Sequence, residues 1–227
     1  MPLIRYALYA VPAASHALWP LAADWLGRDP EAAGDRTAML PDWLERARWR
    51  DITAEPRLYG FHGTLKPPFA LAADRSRAEL DDALAALGAE GTPPRLTVAS
   101  LSSFLALVPD GEALSLHALA DRCVAAFDAF RAPPSEAELA RRRRAVLSPA
   151  QERHLECWGY PYVFDQFRYH MTLTGRLAEP ERERLRAWLA EHFAPALAGP
   201  VPLELALFEQ PDQGLPFRLV RRYPIAG

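Results

Sequence analysis

Two short segments of this chain carry the same alternation. The first is Phe61-His62-Gly63-Thr64-Leu65-Lys66 and the second Tyr169-His170-Met171-Thr172-Leu173-Thr174. In a strand, residues i, i+2 and i+4 face the same way. His62, Thr64 and Lys66 then share a polar front, and His170, Thr172 and Thr174 share another. Phe61, Leu65, Tyr169, Met171 and Leu173 form apolar backs. Any fold for this chain must bury both backs and leave both fronts open.

The neighbouring pattern repeats as well. A His-x-Thr strand, a helix and two further strands are expected over 59–108, and the same order recurs over 166–223. The histidines lie nearly half the chain apart. This echo predicts two similar lobes related by a pseudo-twofold axis, one over about 13–130 and one over about 145–223, within a single domain of residues 1–227. Each lobe would give one strand to a shared cleft.

The remaining elements follow from periodicity and punctuation. Residues 3–11 read as a strand, and Ser15 is placed to cap a helix ending at Gly27. Residues 28–56 read as loop with a short helix at 42–49. Residues 59–65 read as a strand stopped by Pro67-Pro68. Helices are expected over 76–87, 114–130, 135–144, 148–157 and 180–193. Strands are expected over 95–100, 103–108, 166–174, 203–208 and 217–223.

Composition excludes several classes. Of 227 residues, 50% are hydrophobic and the formal net charge is -3, which fits a folded body rather than a disordered chain. No bulk positive field attracts duplex DNA or an anionic membrane. No apolar run approaches the roughly 20 residues that cross a bilayer. Met1–Pro12 lacks an apolar leader with a small-residue cleavage site, so a cytoplasmic protein is expected. Cys123 and Cys157 fit no metal-ligand spacing. Among 26 Lys+Arg residues, Lys66 is the single lysine.

The two polar fronts suit in-line displacement at phosphorus. One group must deprotonate the incoming oxygen and another must protonate the leaving oxygen on the opposite side. Histidine does either near neutral pH, since its unperturbed pKa is ~6.5. Thr64 and Thr172 are placed to donate to non-bridging oxygens whose charge rises in the transition state. Lys66 would add a full positive charge. Arg168 shares its strand's polar face with His170 and would reach a second phosphate. Tyr59 or Tyr162 would stack on a base or sugar. No carboxylate cluster accompanies the histidines, so no metal and no cofactor are expected. A single His-x-Thr in a strand is common and means little; two copies, each followed by leucine, carry the reading. His16, His117, His154 and His192 lack a hydroxyl at i+2 and read as ordinary helix residues. The run Arg141–Arg144 reads as a solvated helix paired with Glu138, with a lid over an anionic substrate as the sharper alternative.

These motifs resemble those of the two-histidine phosphoesterase superfamily, named for paired His-x-Thr/Ser-x motifs. Further stretches, RYALY, LYGFHGTLKPPF, FLALVP, FRAPPSEAELARRR and WGYPYVFDQFRYHMTLTGRL, resemble an uncharacterised, DUF1045-like family associated with bacterial phosphonate metabolism. The resemblance covers most of the chain. It implies an α+β, bilobal body with antiparallel sheets around a central cleft. It also implies His62 and His170 as catalytic residues, and a small phosphorylated substrate such as a ribose cyclic phosphate.

Three functions compete at this level. The first is a metal-independent cyclic phosphodiesterase acting on a small sugar or nucleotide. The second is an enzyme on RNA ends, which the acidic balance and scarce lysine disfavour. The third is a non-catalytic phosphate-binding module, which has no need of two titratable groups.

Overall fold

The computed structural model describes residues 3–32 and 34–227, so Met1 and Pro2, where the leader reading begins, lie outside the described residues. The chain runs β1 (Arg5–Pro12), α1 (Leu18–Leu26), β2 (Arg28–Asp29), β3 (Gly34–Asp35), α2 (Arg46–Tyr59), β4 (Gly63–Phe69) and α3 (Arg77–Ala86). It continues with β5 (Leu96–Leu101), β6 (Phe104–Pro109), α4 (Leu114–Ala126), α5 (Glu136–Arg142) and α6 (Pro149–Trp158). It ends with β7 (Met171–Thr172), α7 (Glu179–Leu197), β8 (Leu203–Gln210) and β9 (Arg218–Pro224). The fold is α+β. Among the described residues it has seven α-helices and one seven-stranded sheet of order β5-β6-β7-β4-β1-β8-β9, with every pairing antiparallel.

One continuous sheet replaces the expected pair of lobe sheets. The two motif strands are neighbours within it, joined where Gly63 pairs with Met171. The repeated order of elements is present, but the hairpins do not build separate sheets. The β5–β6 hairpin, which follows the first motif in sequence, lies against β7. The β8–β9 hairpin, which follows the second, lies against the edge of β1 that faces away from β4.

Strand β1 is buried on both faces, as its apolar run requires. Tyr6, Leu8 and Ala10 enter the main core with residues from α1, α2, α3, α4 and α7. Ala7, Tyr9 and Val11 enter a second cluster with Trp19, Phe208 and Phe217. That second face carries the site.

Local sequence explains several element ends. Ser76 and Glu79 form a capping box at α3, and Ser148 and Gln151 form one at α6. Gly159 ends α6 in the left-handed conformation. The helix after Ser15 starts later than expected, at Leu18, without a side-chain cap.

Three expectations are corrected. Residues 46–59 form a full helix rather than a loop and the start of a strand; Pro56 lies within its last turn. Strand β4 is not stopped by Pro67-Pro68 but runs through both. Its β7 side is bonded only at Gly63, so the prolines face no ladder partner there and their missing N–H groups cost little. The second motif forms only a two-residue strand, because Leu173 and Thr174 both donate backbone N–H to the Leu105 carbonyl and end the regular ladder.

Candidate functional site

A cavity of about 620 Å³ opens over β4 and β7, and its lining includes His62, Thr64, Thr172 and Thr174. Helix α2 ends at Tyr59, and Gly60 takes φ +80°, a backbone angle that L side chains rarely adopt. The turn aims the Gly60 carbonyl back at the His62 ring. The Nδ1–H of His62 donates to that carbonyl at 2.9 Å. His170 repeats the arrangement, with its Nδ1–H donating to the Arg168 carbonyl at 2.8 Å. A carbonyl only accepts, so each bond places the neutral ring's proton on Nδ1 and leaves Nε2 as the free basic atom.

The two imidazoles sit in different surroundings. His62 is half-buried and stacks on Tyr9, with ring centroids 3.8 Å apart at 24°, and Tyr59 stands 5.9 Å away. Desolvation by this aromatic packing lowers the His62 pKa to about 4; the Gly60 bond opposes the shift and the charge of His170 adds to it. His62 is therefore neutral near pH 7 and able to take up a proton. His170 is not itself among the residues that line the cavity; its ring stands beside Phe104, which is, with ring centroids 5.9 Å apart.

Thr64 pairs with Tyr9 across β1–β4, and Thr172 pairs with Ala106 across β6–β7, so both hydroxyls rise from the sheet floor. Thr174 is buried, and its Oγ1 accepts from the Leu105 N–H at 3.0 Å. That bond fixes the turn after β7. The motifs also interlock: the Tyr169 ring lies against Gly63, where no side chain intervenes.

Lys66 does not share the cleft with His62. The β1–β4 register slips by one residue between the pairs Tyr9–Thr64 and Leu8–Lys66. Such a bulge reverses the face of the side chain that follows it. Lys66 consequently points with Leu8 into the main core. Its ammonium donates to the Val124 carbonyl at 3.1 Å and lies 3.7 Å from Asp128. Burial lowers its pKa to about 8, against the raising influence of Asp128.

Arg168 and Tyr162 are also placed away from the lining. Both are exposed, and Arg168 contributes its carbonyl to His170 rather than its guanidinium to the cavity. Tyr162 packs edge-on against Tyr160, and it is Tyr160 that lines the cavity. The lining also includes Arg5, Arg141, Arg142 and Arg176, with Glu55 as the one carboxylate among the described residues. Of these, only Arg141 and Arg142 were signalled by the sequence, through the lid alternative. Tyr9 and Arg5 share one face of β1 at i, i+4, a spacing readable in the sequence once a cleft on that face is known.

Among the described residues, no three His, Cys, Asp or Glu side chains come together as a metal-holding group, and no helix is long and apolar enough to cross a membrane. Cys123 is buried and Cys157 exposed, both as free thiols.

Comparison with known proteins places this sequence in a family. A model described as "Protein of unknown function (DUF1045)" matches residues 64–218. Ribose 1,5-bisphosphate phosphokinase PhnN of Janthinobacterium sp. (strain Marseille) is 36% identical over 232 residues, covering 98% of this chain and 51% of that protein. The protein of the same name from Laribacter hongkongensis (strain HLHK9) is 38% identical over 220 residues, covering 96% and 51%. The chain spans about half the length of the curated relatives it matches. The family match begins at Thr64 and takes in His170 and Thr172, while His62 falls just before it. With well over half of its sequence inside that match, the chain belongs to the DUF1045 family.

Proposed function

We propose that this chain is a two-histidine phosphoesterase that opens a small cyclic phosphodiester with water and serves phosphonate metabolism. The observation that carries the reading is the matched pair of imidazoles. Each is held by its Nδ1–H on the carbonyl two residues before it, and each has a threonine two residues after it on an adjoining strand. A binding module has no use for two rings set in the same tautomer.

In this mechanism the phosphate sits between the rings. Neutral His62 takes a proton from the attacking water through Nε2, and the water oxygen bonds to phosphorus. The bond from phosphorus to one ring oxygen breaks, and protonated His170 gives that oxygen its Nε2 proton. Water and a cyclic diester become a hydroxy monoester, and the two histidines exchange protonation states until solvent restores them. Thr64 and Thr172 donate to the non-bridging oxygens. Assigning the base to His62 rests on its lowered pKa of about 4, which keeps it free of a proton at neutral pH.

A kinase activity does not follow from the relatives' name. Backbone-cradled nucleotide phosphates in P-loop kinases need a lysine in a glycine-rich Gly-x-x-x-x-Gly-Lys loop. The single lysine here is Lys66, which follows Leu65 and is bonded to Val124 in the core. We infer that the kinase of the relatives resides in the half this chain does not match. A phosphoesterase joined to a kinase of ribose 1,5-bisphosphate has a natural task in releasing a pentose phosphate monoester from a cyclic precursor.

The test is hydrolysis of ribose cyclic phosphates and 2′,3′-cyclic nucleotides by the wild-type chain, His62→Ala and His170→Ala. Turnover of a cyclic ester that both substitutions abolish supports the reading. Turnover confined to RNA ends moves the substrate to nucleic acid, and tight phosphate binding without turnover leaves a binding module.

A further inference from the structure

We propose that the cavity holds a second anion subsite, formed by Arg142 with Arg141 and Arg176, for a phosphomonoester on the substrate that does not react. This rests on the phosphoesterase reading and names its substrate class: a sugar cyclic phosphodiester carrying a separate phosphate group.

The charges at the cavity exceed what the reacting phosphate needs. Four arginines line it, Arg5, Arg141, Arg142 and Arg176, against Glu55. Glu138 lies 2.9 Å from Arg142 and 3.8 Å from Arg141, so it offsets one of that pair. Arg176 makes no ion pair or side-chain hydrogen bond among the described residues, and Arg5 bonds to the neutral amide oxygen of Gln210. Two positive charges remain after the carboxylates are counted. A cyclic diester carries only one negative charge. A phosphomonoester adds roughly −1.5 to −2 more and takes up the charge that a diester alone leaves unmatched.

The arginines come from other parts of the chain than the motif strands. Thr64 and Thr172 rise from β4 and β7 on the sheet floor, and each histidine immediately precedes its strand. Arg141 and Arg142 come from α5, which buries none of its own residues, and Arg176 follows the turn after β7. Arg142 is the anchor. Its side chain is 15% exposed and its guanidinium lies 4.8 Å over the Tyr160 ring. The planar guanidinium suits bidentate capture of phosphate.

The test compares two ribose cyclic phosphates that differ only in a 5-phosphate. Wild type should show the higher kcat/KM for the 5-phosphorylated ester. Arg142→Gln should lose roughly tenfold to a hundredfold of that value, mainly through KM, with a much smaller loss on the unphosphorylated ester. Equal kcat/KM for the two esters in wild type, or an equal loss on both in Arg142→Gln, overturns the subsite. Arg176→Gln carries the same comparison should Arg142→Gln fail to fold. If neither ester is hydrolysed, the phosphoesterase reading fails on its own, and calorimetry with ribose 5-phosphate against ribose decides the subsite. Tighter binding of ribose 5-phosphate that Arg142→Gln abolishes supports it, and no difference between the two sugars overturns it.

Discussion

Gly63 and Tyr169 occupy each other's space: a Cβ built on Gly63 would sit 2.5 Å from two carbons of the Tyr169 ring. The residue after the first histidine and the residue before the second are thereby locked across the β4–β7 junction. Gly63→Ala should destabilise the chain by about 1–3 kcal/mol through overpacking and lower activity with it. Urea denaturation checks this, and Tyr169→Leu in the same chain should recover part of the loss. Tyr169→Phe should be neutral or stabilising, because the Tyr169 hydroxyl is buried without a partner among the described residues.

His62→Ala and His170→Ala should each cut turnover of a cyclic ester by ~10²–10⁴, the range for losing a general acid or base. The double variant should lose less than the product of the two, since both groups serve one step. Full activity in either single variant on the true substrate would remove two-histidine catalysis.

The pKa of His62 gives two pH signatures. The acid limb of kcat/KM should fall near pH 4 rather than near 6.5. Stability should also drop on acidification. The unfolded chain protonates this imidazole below about pH 6.5 and the folded chain only below about 4, so the unfolded state gains protons first. The contribution is present above the unfolded pKa, declines between the two values, and should be missing from His62→Gln. Thermal melts across pH 4–7 on both proteins measure it.

Lys66 belongs to stability rather than to substrate binding. Lys66→Ala should cost about 2–5 kcal/mol, the range for truncating a large buried side chain, while kcat/KM at a temperature where it remains folded stays at the wild-type value. Its pKa of about 8 lies below the ordinary lysine value of 10.5, so the folded state sheds this proton first. The desolvation cost of the buried ammonium should ease as pH rises from about 8 to 10.5, a gain that Lys66→Met lacks. An increase in KM without any loss of stability in Lys66→Ala would return Lys66 to the cavity.

Activity on cyclic esters should survive EDTA, since the proposed proton transfers use only the imidazoles. Loss of turnover on chelation, restored by a divalent ion, would overturn this mechanism.

What the sequence made legible was local. The β5–β6 hairpin, the helix starts at Ser76 and Ser148 and the alternation around His62 and Thr64 depend on neighbours within a few residues, and each is found close to where it was expected. The face of Lys66 was not legible, because a one-residue bulge against β1 depends on a partner far away in the chain. Strand β7 looked long because Tyr169, Met171 and Leu173 alternate correctly. Its length is set by the Leu105 carbonyl, which captures two successive N–H groups. Tyr160 was masked by its neighbours: four aromatic residues precede the second motif, and only packing separates the one in the cavity from those outside it. The positions of Arg141 and Arg142 depend on where a helix with no buried residue comes to rest, which no hydrophobic pattern records.

The Nδ1 bonds of His62 and His170 end on main-chain oxygen. Their orienting partners are therefore invisible to side-chain mutagenesis. An alanine scan of the whole chain should find no third residue whose loss scrambles the tautomer of either ring. The vulnerable element is instead the path of the backbone through residues 60–62 and 168–170. Chemical replacement of a peptide unit there, or a substitution that changes the backbone angles of Gly60, would reach what side-chain deletion does not. The same economy leaves the surrounding side chains free to diversify for substrate choice while the proton-handling atoms keep their aim.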